Sequence, residues 1–356
     1  MVEILEFRSD TFTTPTPAMR KAMAEAPVGD DQYGEDPTVN RLEERSAEIV
    51  GKDAAVYVPS GMMGNLCGVL SQAQRGEEVI LGDLAHIYQN EMGAFATLGS
   101  LNGRIVPNRD GMPALEDIEA AIRPSGMFPR TALLCLENSH NNCGGSVLTP
   151  EQTARAADLA HSRGVRVHLD GARIFNAAVA QSLDVRELTR PVDTVQFCFS
   201  KGLAAPVGSI LCGDAEVIGK ARRVRKLLGG AMRQAGVIAA AALVSLETMR
   251  DRLAEDHTNA RSLAEGLASI PGIRIDAARV VTNIVSFEVD PARMDAGMFQ
   301  RACAEQGLRI SRYLGNSPRL RMVTHNDVSR AAVDKALAVM SEVLAGSPRG
   351  VPTPAD

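Results

Sequence analysis

The chain has 356 residues and a formal net charge of −5, with 45% hydrophobic and 23% charged residues. This balance is typical of a globular protein with a large core, and the length suggests about two domains. Proteins that bind nucleic acids usually carry a basic surface, so the acidic balance argues against a nucleic-acid partner.

The sequence also argues against a membrane protein and against a metal site. Residues 1–10 are charged and lack the apolar core of a secretion signal. The most apolar helix candidate, residues 236–246, is far shorter than the roughly 20 residues that a membrane span needs. None of the six cysteines lies in a C-x-x-C pair or at zinc-ligand spacing with a histidine. We therefore expect a cytoplasmic protein that binds no metal ion.

Short β-branched segments alternate with longer helical patterns through the first 250 residues or so. The predicted strands are, in chain order, residues 54–58, 78–82, 131–137, 166–170, 194–200 and 208–212. The helices predicted between them include residues 62–74 and 150–163, the second of which has a proline near its start. This alternation predicts an α/β fold with a mostly parallel sheet.

The pattern changes at about residue 253. Helices are predicted at residues 257–267, 298–306 and 328–344, and strands at residues 273–275, 283–289 and 319–323. We expect a smaller α+β domain over residues 253–346, after a large domain of residues 1–252 that includes the N-terminal arm. Residues 347–356, rich in proline, are predicted to form a disordered tail.

Polar residues that could take part in catalysis or binding follow the predicted strands, where open α/β sheets bind their ligands. Lys201 ends one apolar strand, in the triplet Ser200-Lys201-Gly202. Lysine is rarely buried without a partner, and loss of water around its amine favours the neutral form that attacks an aldehyde. Taken alone, however, a lysine that simply reaches the surface in a loop is the better explanation.

Asp170 ends the strand before that one and is followed closely by Arg173. A carboxylate at this position can pair with a protonated pyridine nitrogen. An arginine one turn further can bind a substrate carboxylate through two hydrogen bonds. The structural alternatives are an N-cap aspartate and a surface ion pair.

Three other strand ends carry weaker signals. At Ser60-Gly61 a strand turns into a helix, whose first N–H groups can hold a phosphate. His86 follows another strand and could stack on a flat ring or transfer protons, and His140 follows a third. An ordinary turn or a hydrogen-bonded core histidine explains each of them alone.

Together these residues match the groups of one cofactor with its substrate. A phosphate turn, a ring histidine, a ring aspartate, a carboxylate-binding arginine and a nucleophilic lysine occur in chain order. Structural roles alone do not readily explain all five at once. The sequence therefore predicts pyridoxal 5'-phosphate as the cofactor, bonded covalently to Lys201.

The same motifs carry a family resemblance. The matching stretches are Phe7–Thr11, Tyr33–Asn40, Pro59–Gly61, Ala85–Tyr88, Leu136–His140, His168–Phe175, Ser200–Leu203, Gly229–Gln234 and Arg319–His325. On these residues the chain resembles the low-specificity L-threonine aldolases, which are fold-type-I pyridoxal-phosphate enzymes of the β-eliminating lyase superfamily. The resemblance implies the transferase-like fold of that group, with a large domain built on a mostly parallel sheet and a smaller α+β C-terminal domain.

The resemblance also implies roles for the residues that would bind the cofactor. Lys201 would bond to the cofactor, Asp170 would pair with its pyridine nitrogen, and His86 would stack on its ring. The backbone N–H groups of Gly61 and Met62 would bind the phosphate. The family usually has threonine where Met62 stands, so one phosphate-binding hydroxyl is missing from this chain.

Further implied roles concern the substrate. Ser9, Arg173 and Arg321 would bind its carboxylate, Tyr33 would be among the residues that contact it, and His140 would lie near its β-hydroxyl. Arg173 also counts among the expected cofactor contacts.

Arg233 would reach the phosphate of a neighbouring subunit, since family members build each site across a dimer, usually within a tetramer. We therefore expect a homodimer or homotetramer with shared active sites.

The activity that the resemblance implies is cleavage of L-threonine, L-allo-threonine or a related amino acid such as phenylserine to glycine and an aldehyde. His86 and His140 are both candidates for the base. Two alternatives stay open: another fold-type-I activity, such as an aminotransferase or a β-eliminating lyase, and a non-catalytic protein of this fold. Residues 125–130 and 141–145 are particular to this chain and leave the preferred substrate side chain undetermined.

Overall fold

The computed structural model describes residues 3–123, 126–313 and 317–346. Contacts divide them into two units. The larger unit spans residues 14–251, and the smaller combines the described residues up to Thr13 with those from Arg252 onwards. The predicted tail, residues 347–356, lies outside the described residues.

Strands and helices follow one another through both units. The strands are β1 (Leu5–Glu6), β2 (Ala54–Val58), β3 (Glu78–Gly82), β4 (Asn102–Val106), β5 (Asn108–Arg109), β6 (Met112–Pro113), β7 (Thr131–Glu137), β8 (Arg166–Asp170), β9 (Thr194–Cys198), β10 (Ser209–Gly213), β11 (Ile273–Arg274), β12 (Ile284–Val289), β13 (Leu308–Arg309), β14 (Ser311–Arg312) and β15 (Arg319–Val323). The helices are α1 (Pro17–Glu25), α2 (Pro37–Val50), α3 (Gly61–Leu70), α4 (His86–Gln89), α5 (Ala94–Thr97), α6 (Leu115–Ala121), α7 (Pro150–Ser162), α8 (Ile174–Gln181), α9 (Val185–Thr189), α10 (Ala215–Leu227), α11 (Gly236–Thr248), α12 (Leu253–Ala268), α13 (Ala296–Glu305) and α14 (Arg330–Ala345).

The larger unit is built on a seven-stranded sheet in the order β2-β10-β9-β8-β7-β3-β4. Only β10 is antiparallel to its neighbours. The other six strands therefore end at one edge of the sheet, and the register places Glu137 level with Asp170 and Asp170 level with Gln196. The strand ends that carry the predicted site residues thus meet at this edge, as expected for an open α/β sheet.

Helix α3 lies unusually close to this sheet because two of its residues are glycines. A Cβ atom on Gly64 would lie 2.6 Å from Cγ of Gln196, and one on Gly68 would lie 2.6 Å from Cε1 of His168. Any larger residue would push the helix outward. The Ser60 side chain caps the helix by accepting a hydrogen bond from the N–H of Met63 at 3.2 Å. Its first turn is therefore fixed at the edge where the strands end.

The smaller unit contains a four-stranded antiparallel sheet in the order β11-β12-β15-β14. Helices α12, α13 and α14 contribute to its buried core, which includes an edge-to-face contact between Phe287 and Phe299 at 6.5 Å. The N-terminal arm differs from the expectation that it belongs with the large domain, because β1 pairs in parallel with β13 and Phe7 is buried in the core of the smaller unit.

The α/β class, the mostly parallel sheet and the smaller α+β part are confirmed. Five predicted strands have the observed bounds: 54–58, 78–82, 131–137, 166–170 and 319–323. Strand β9 is shorter than predicted, since the N–H groups of Phe199 and Ser200 turn to the carbonyl of Gly208. Strand β4 was not anticipated, because most of its side chains are exposed and give no apolar pattern. None of the helices in the described part of the chain combines the length and apolarity that a membrane crossing requires.

Asp36 holds together the start of two helices in the larger unit. Its Oδ1 accepts hydrogen bonds from the N–H groups of Thr38 and Val39, each at 3.0 Å, at the start of α2. Its Oδ2 accepts from the N–H of Gly29 at 3.2 Å and from that of Gly236, the first residue of α11, at 2.8 Å. The side chain is fully buried, so these four donors depend on one carboxylate.

We expect Asp36→Ala to lower the free energy of unfolding by about 2–4 kcal/mol, because it leaves several buried N–H groups without an acceptor. Urea unfolding of the cofactor-loaded protein measures this loss. Asp276→Ala is the matched control, since that aspartate is exposed and accepts one bond, from the N–H of Ala278. It should cost less than about 1 kcal/mol. Equal losses in the two variants would contradict the assigned role of Asp36.

Candidate active site

Asp170 is the buried carboxylate at the centre of the site. It ends β8 and is 2% exposed. Its Oδ2 accepts a hydrogen bond from the amide of Asn65 at 2.9 Å, and its Oδ1 accepts from the amide of Gln196 at 3.0 Å and from the N–H of Ala172 at 3.1 Å. Three donors therefore replace the water that the carboxylate loses on burial.

The charge state of Asp170 depends on its cationic neighbours. Burial alone would raise the pKa of this carboxyl, but the nearby charges of His86 and Lys201, with the hydrogen bond from Asn65, outweigh it and lower the pKa. The structure thus brings Asp170, His86 and Lys201 into electrostatic contact, as the sequence predicts. An ionised carboxylate within an apolar sheet is suited to pair with a cationic ring.

A chain of four hydrogen-bonded polar side chains, three of them buried, leads to Asp170. Gln72 donates to the hydroxyl of Thr194 at 2.9 Å, and that hydroxyl lies 2.8 Å from Nδ1 of His168. Nε2 of His168 lies 3.1 Å from Oδ1 of Asn65. The asparagine amide nitrogen then donates to Asp170 and, at 2.7 Å, to Oε1 of Glu91.

These contacts determine the position of each proton in the chain. The amide nitrogen of Asn65 must face the two carboxylates, because its oxygen would be repelled by them. The oxygen of Asn65 therefore faces His168, so Nε2 of His168 carries the proton. Nδ1 of His168 is then the acceptor, and Thr194 donates to it.

His86 forms a second pair with Glu91. Its Nδ1 lies 2.9 Å from Oε1 of Glu91, which is 2% exposed. Burial works against the charged imidazole, but the hydrogen bond that His86 donates to Glu91 and the charge of Asp170 prevail, so the pKa of His86 is raised. Burial raises the pKa of Glu91 in turn. With its Nδ1 proton directed at Glu91, His86 presents Nε2 as the nitrogen that can accept a proton.

His86, Glu91 and Asp170 offer ligand atoms within 4.8 Å of one another, a spacing that a metal ion could use. The amide nitrogen of Asn65 lies between the two carboxylates and donates a proton to each. A cation bridging these oxygens would have to displace that amide. The arrangement therefore fits a hydrogen-bonded anionic pair better than a metal centre.

The first turn of α3 presents unused donors. In the part of the chain that the structure describes, the N–H groups of Gly61 and Met62 have no hydrogen-bond partner. A Cβ atom on Gly61 would lie 2.8 Å from Sγ of Cys198, so the backbone approaches the end of β9 closely. Free N–H groups at a helix start favour an anion such as a phosphate.

Glu137 connects the two histidine-bearing loops. Its Oε2 accepts from the N–H of His86 and its Oε1 from the N–H of Asn141, both at 2.7 Å. Nε2 of His140 lies 3.6 Å from Oε2 of Glu137, and neither ring nitrogen of this buried histidine has a hydrogen-bond partner among the described residues. One carboxylate therefore positions both predicted candidates for the base.

Three other predicted residues of the larger unit have clear positions. Arg173 is 5% exposed and donates to Oδ1 of Asn141 at 3.3 Å, beside the loop that carries His140. Arg233 is exposed and pairs with Asp30 at 2.8 Å. Tyr33, 72% exposed, interacts with Arg233. Arg173 is thus placed at the strand-end edge, whereas Tyr33 and Arg233 form an exposed group.

The remaining predicted residues, Ser9 and Arg321, belong to the smaller unit. Arg321 lies on β15 and donates to the carbonyl of Arg8 at 3.3 Å, so it approaches the segment that contains Ser9. The hydroxyl of Ser9 accepts a hydrogen bond from the N–H of Thr11 at 3.3 Å. Within their own unit these two residues are neighbours.

Sequence reasoning missed Asn65, Glu91 and Glu137, and gave no role to His168. Two of these residues could have been noticed as polar residues in apolar segments. Asn65 lies in an otherwise apolar helix, and Glu137 ends a fully buried strand. Glu91 lies five residues after His86 in a short connecting segment, where sequence alone does not show burial.

The sequence profile of the beta-eliminating lyase family matches residues 6–294, and the chain belongs to this family. A low-specificity L-threonine aldolase 1 from Arabidopsis thaliana is 46% identical over 96% of both chains. A low specificity L-threonine aldolase from Escherichia coli K12 is 42% identical over 96% of this chain and 100% of its own. The predicted enzyme class, a carbon–carbon lyase, is confirmed by these relatives.

The fold matches that of a solved threonine aldolase structure. The structure of a Leishmania major threonine aldolase superposes with a TM-score of 0.80 over 95% of this chain and 98% of that chain, at 19% identity. The fold-type-I prediction is confirmed.

Pyridoxal 5'-phosphate is the cofactor of this family, which confirms the cofactor prediction. The residues present fit it. The free N–H groups of Gly61 and Met62 suit its phosphate, and the ionised, buried Asp170 suits its pyridine nitrogen. Lys201 follows the neighbouring strand with an amine that can bond to an aldehyde.

Burial holds His168 neutral and lowers its pKa from 6.5 to about 4. As the pH falls below about 6.5, the unfolded chain binds a proton that the folded protein refuses, so stability falls with pH. We expect this residue alone to lower the free energy of unfolding by about 2 kcal/mol between pH 7 and pH 5.

Urea unfolding at the two pH values measures this loss, and His168→Gln provides the comparison because glutamine keeps a donor without titrating. The variant should show a correspondingly smaller fall, even if it is less stable at pH 7. The same fall in both proteins would show that His168 is not the source.

Proposed function

We propose that the protein cleaves L-threonine, L-allo-threonine or a related L-β-hydroxy-α-amino acid, such as phenylserine, to glycine and an aldehyde. The observation that carries this proposal is the ionised, buried Asp170, held in electrostatic contact with Lys201 and His86 at one edge of the sheet. The relatives of this chain that are named L-threonine aldolases support the choice of reaction.

Each residue of this group has a distinct task in the proposal. Lys201 would hold the cofactor through its amine. Asp170 would stabilise the positive charge of the pyridine nitrogen, and His86 would contact the ring. The cofactor supplies an electron sink for the negative charge that bond cleavage leaves on the substrate α-carbon.

Two histidines can take the proton from the substrate β-hydroxyl. His86 offers Nε2, because its Nδ1 proton points to Glu91. The same carboxylate holds the loop of His140 through the N–H of Asn141, and the ring nitrogens of His140 have no hydrogen-bond partner in the described residues. Replacement of each histidine by phenylalanine separates the two roles: loss of the base should lower kcat by about 10²–10⁴-fold.

We assign the substrate carboxylate to Arg173, with Ser9 and Arg321 of the smaller unit and with Tyr33 as a further contact. Arg173 is buried beside the His140 loop, and a guanidinium can bind a carboxylate through two parallel hydrogen bonds. Fixing the carboxylate orients the α-carbon so that the bond to be broken faces the ring.

The proposal includes a cytoplasmic homodimer or homotetramer in which Arg233 reaches the phosphate bound by a neighbouring subunit. The exposure of Arg233 and Tyr33 supports this assignment, since both lie at the surface of the single chain.

The family description also makes β-elimination a second candidate activity. It would yield pyruvate and ammonia from serine rather than glycine and an aldehyde, so an assay of all four products distinguishes the two reactions.

We expect purified protein to release glycine and an aldehyde from at least one member of a panel of L-threonine, L-allo-threonine, phenylserine and serine. Lys201→Ala should abolish both this release and the visible absorption band of the bound cofactor, because the covalent link is lost. Lys220→Ala is the matched control, since Lys220 is exposed and pairs only with Glu216 on α10. No glycine from any substrate would refute the proposal.

Met62 provides a further test, because the family usually has threonine at this position. We expect Met62→Thr to lower the dissociation constant for pyridoxal 5'-phosphate by about threefold to tenfold, since one hydroxyl adds a charge-assisted hydrogen bond. Met62→Val has the same shape as the threonine variant but lacks the hydroxyl. The two variants binding equally well would show that the hydroxyl contributes nothing.

A further inference from the structure

One amide group serves two carboxylates in this site. The nitrogen of Asn65 lies 2.7 Å from Oε1 of Glu91 and 2.9 Å from Oδ2 of Asp170. All three residues are 2% exposed, and a ligand oxygen of each acid lies within 4.8 Å of the other. Two buried carboxylates this close repel each other strongly unless protons lie between them.

The amide of Asn65 cannot easily turn to other partners. Its oxygen accepts from Nε2 of His168, whose own orientation is fixed by Thr194. The close approach of α3 to the sheet, which Gly64 and Gly68 permit, holds the asparagine at this depth. Every hydrogen bond in this series of side chains therefore supports the same orientation of the Asn65 amide, with both amide hydrogens directed at the acids.

The two acids also face different partners. Asp170 lies among the charges of His86 and Lys201 and accepts from three donors. Glu91 accepts from Asn65 and pairs with Nδ1 of His86. A carboxylate that would pair with the pyridine nitrogen and a carboxylate that orients a histidine perform separate tasks, and each task requires its own charge.

We propose that Asn65 is a positioning residue that keeps Asp170 and Glu91 in these separate roles by donating one amide proton to each. The inference rests on the proposed function only for the identity of the ring that Asp170 faces. Without the amide, the repulsion between the two carboxylates is no longer offset, and both raise the proton affinity of the groups around them.

Asn65→Leu tests this role, because leucine has a similar volume and no donor. The pH midpoint of the visible absorption of the bound cofactor should move upward by about one unit, since the uncompensated acids raise the proton affinity of their surroundings. The cofactor should also bind about 10- to 100-fold more weakly, because Asp170 loses a charge-assisted hydrogen bond.

A double-mutant cycle with Glu91→Gln distinguishes the proposed role of Asn65 from a purely structural role. If Asn65 acts by separating two charges, neutralising one of them removes most of the effect. The upward shift caused by Asn65→Leu should therefore shrink to less than half in the Glu91→Gln background. An equal shift in both backgrounds would overturn the proposal.

Asn259→Leu is the matched control for losing a buried asparagine. Asn259 is 5% exposed and donates at 3.0 Å to the carbonyl of Val328, away from any carboxylate partner. It should leave the midpoint unchanged, and a shift as large as that of Asn65→Leu would count against the inference. If Asn65→Leu does not fold, Asn65→Ser keeps one donor and should give a smaller upward shift; no shift there would equally overturn the proposal.

These readouts are independent of the reaction. A protein that shows the predicted shifts but releases no glycine would refute the proposed function and leave the role of Asn65 intact. Glycine release without the predicted coupling would do the reverse.

Discussion

The structure depends on keeping one carboxylate ionised inside a sheet. Asp170 has lost nearly all contact with water, and burial of an unpaired charge is among the largest penalties in a folded protein. The protein meets it with three hydrogen-bond donors and two nearby cationic groups. In the proposed role, this carboxylate would pair with the protonated pyridine nitrogen and so sustain the electron-withdrawing power of the cofactor.

Backbone geometry makes the arrangement possible. Parallel strands end at the same edge, so residues far apart in sequence, such as Glu137, Asp170 and Lys201, follow neighbouring strands. Helix α3 begins at this same edge, and Gly64 and Gly68 allow it to lie close to the sheet. Its first turn supplies donors for an anion, while its interior supplies Asn65 to the two acids. A single helix thus presents both the free N–H groups and the amide between the two acids.

Periodicity and strand-end chemistry were enough to predict a mostly parallel sheet, the positions of its main strands along the chain and the group of Lys201, Asp170 and His86, because buried strands and polar strand ends differ sharply in sequence. The edge strand β4 was not predicted, since its exposed side chains resemble those of a loop. The site roles of Glu91 and Asn65 were not predicted for a different reason. These roles depend on hydrogen bonds between segments that are distant in sequence. The pairing of β1 with β13 likewise joins distant parts of the chain and leaves no local pattern.

The charges of the site are arranged along the length of the cofactor with its substrate. In the proposed arrangement, the free N–H groups at the start of α3 would hold the phosphate and Arg173 would hold the substrate carboxylate. Three acids, Asp170, Glu91 and Glu137, contact Asn65, His86 or the N–H of His86 and would serve the ring. A cationic ring with two anionic ends would match this order of charges. The same order explains why the acids need a neutral donor between them: a fixed cation there would compete with the ring for Asp170.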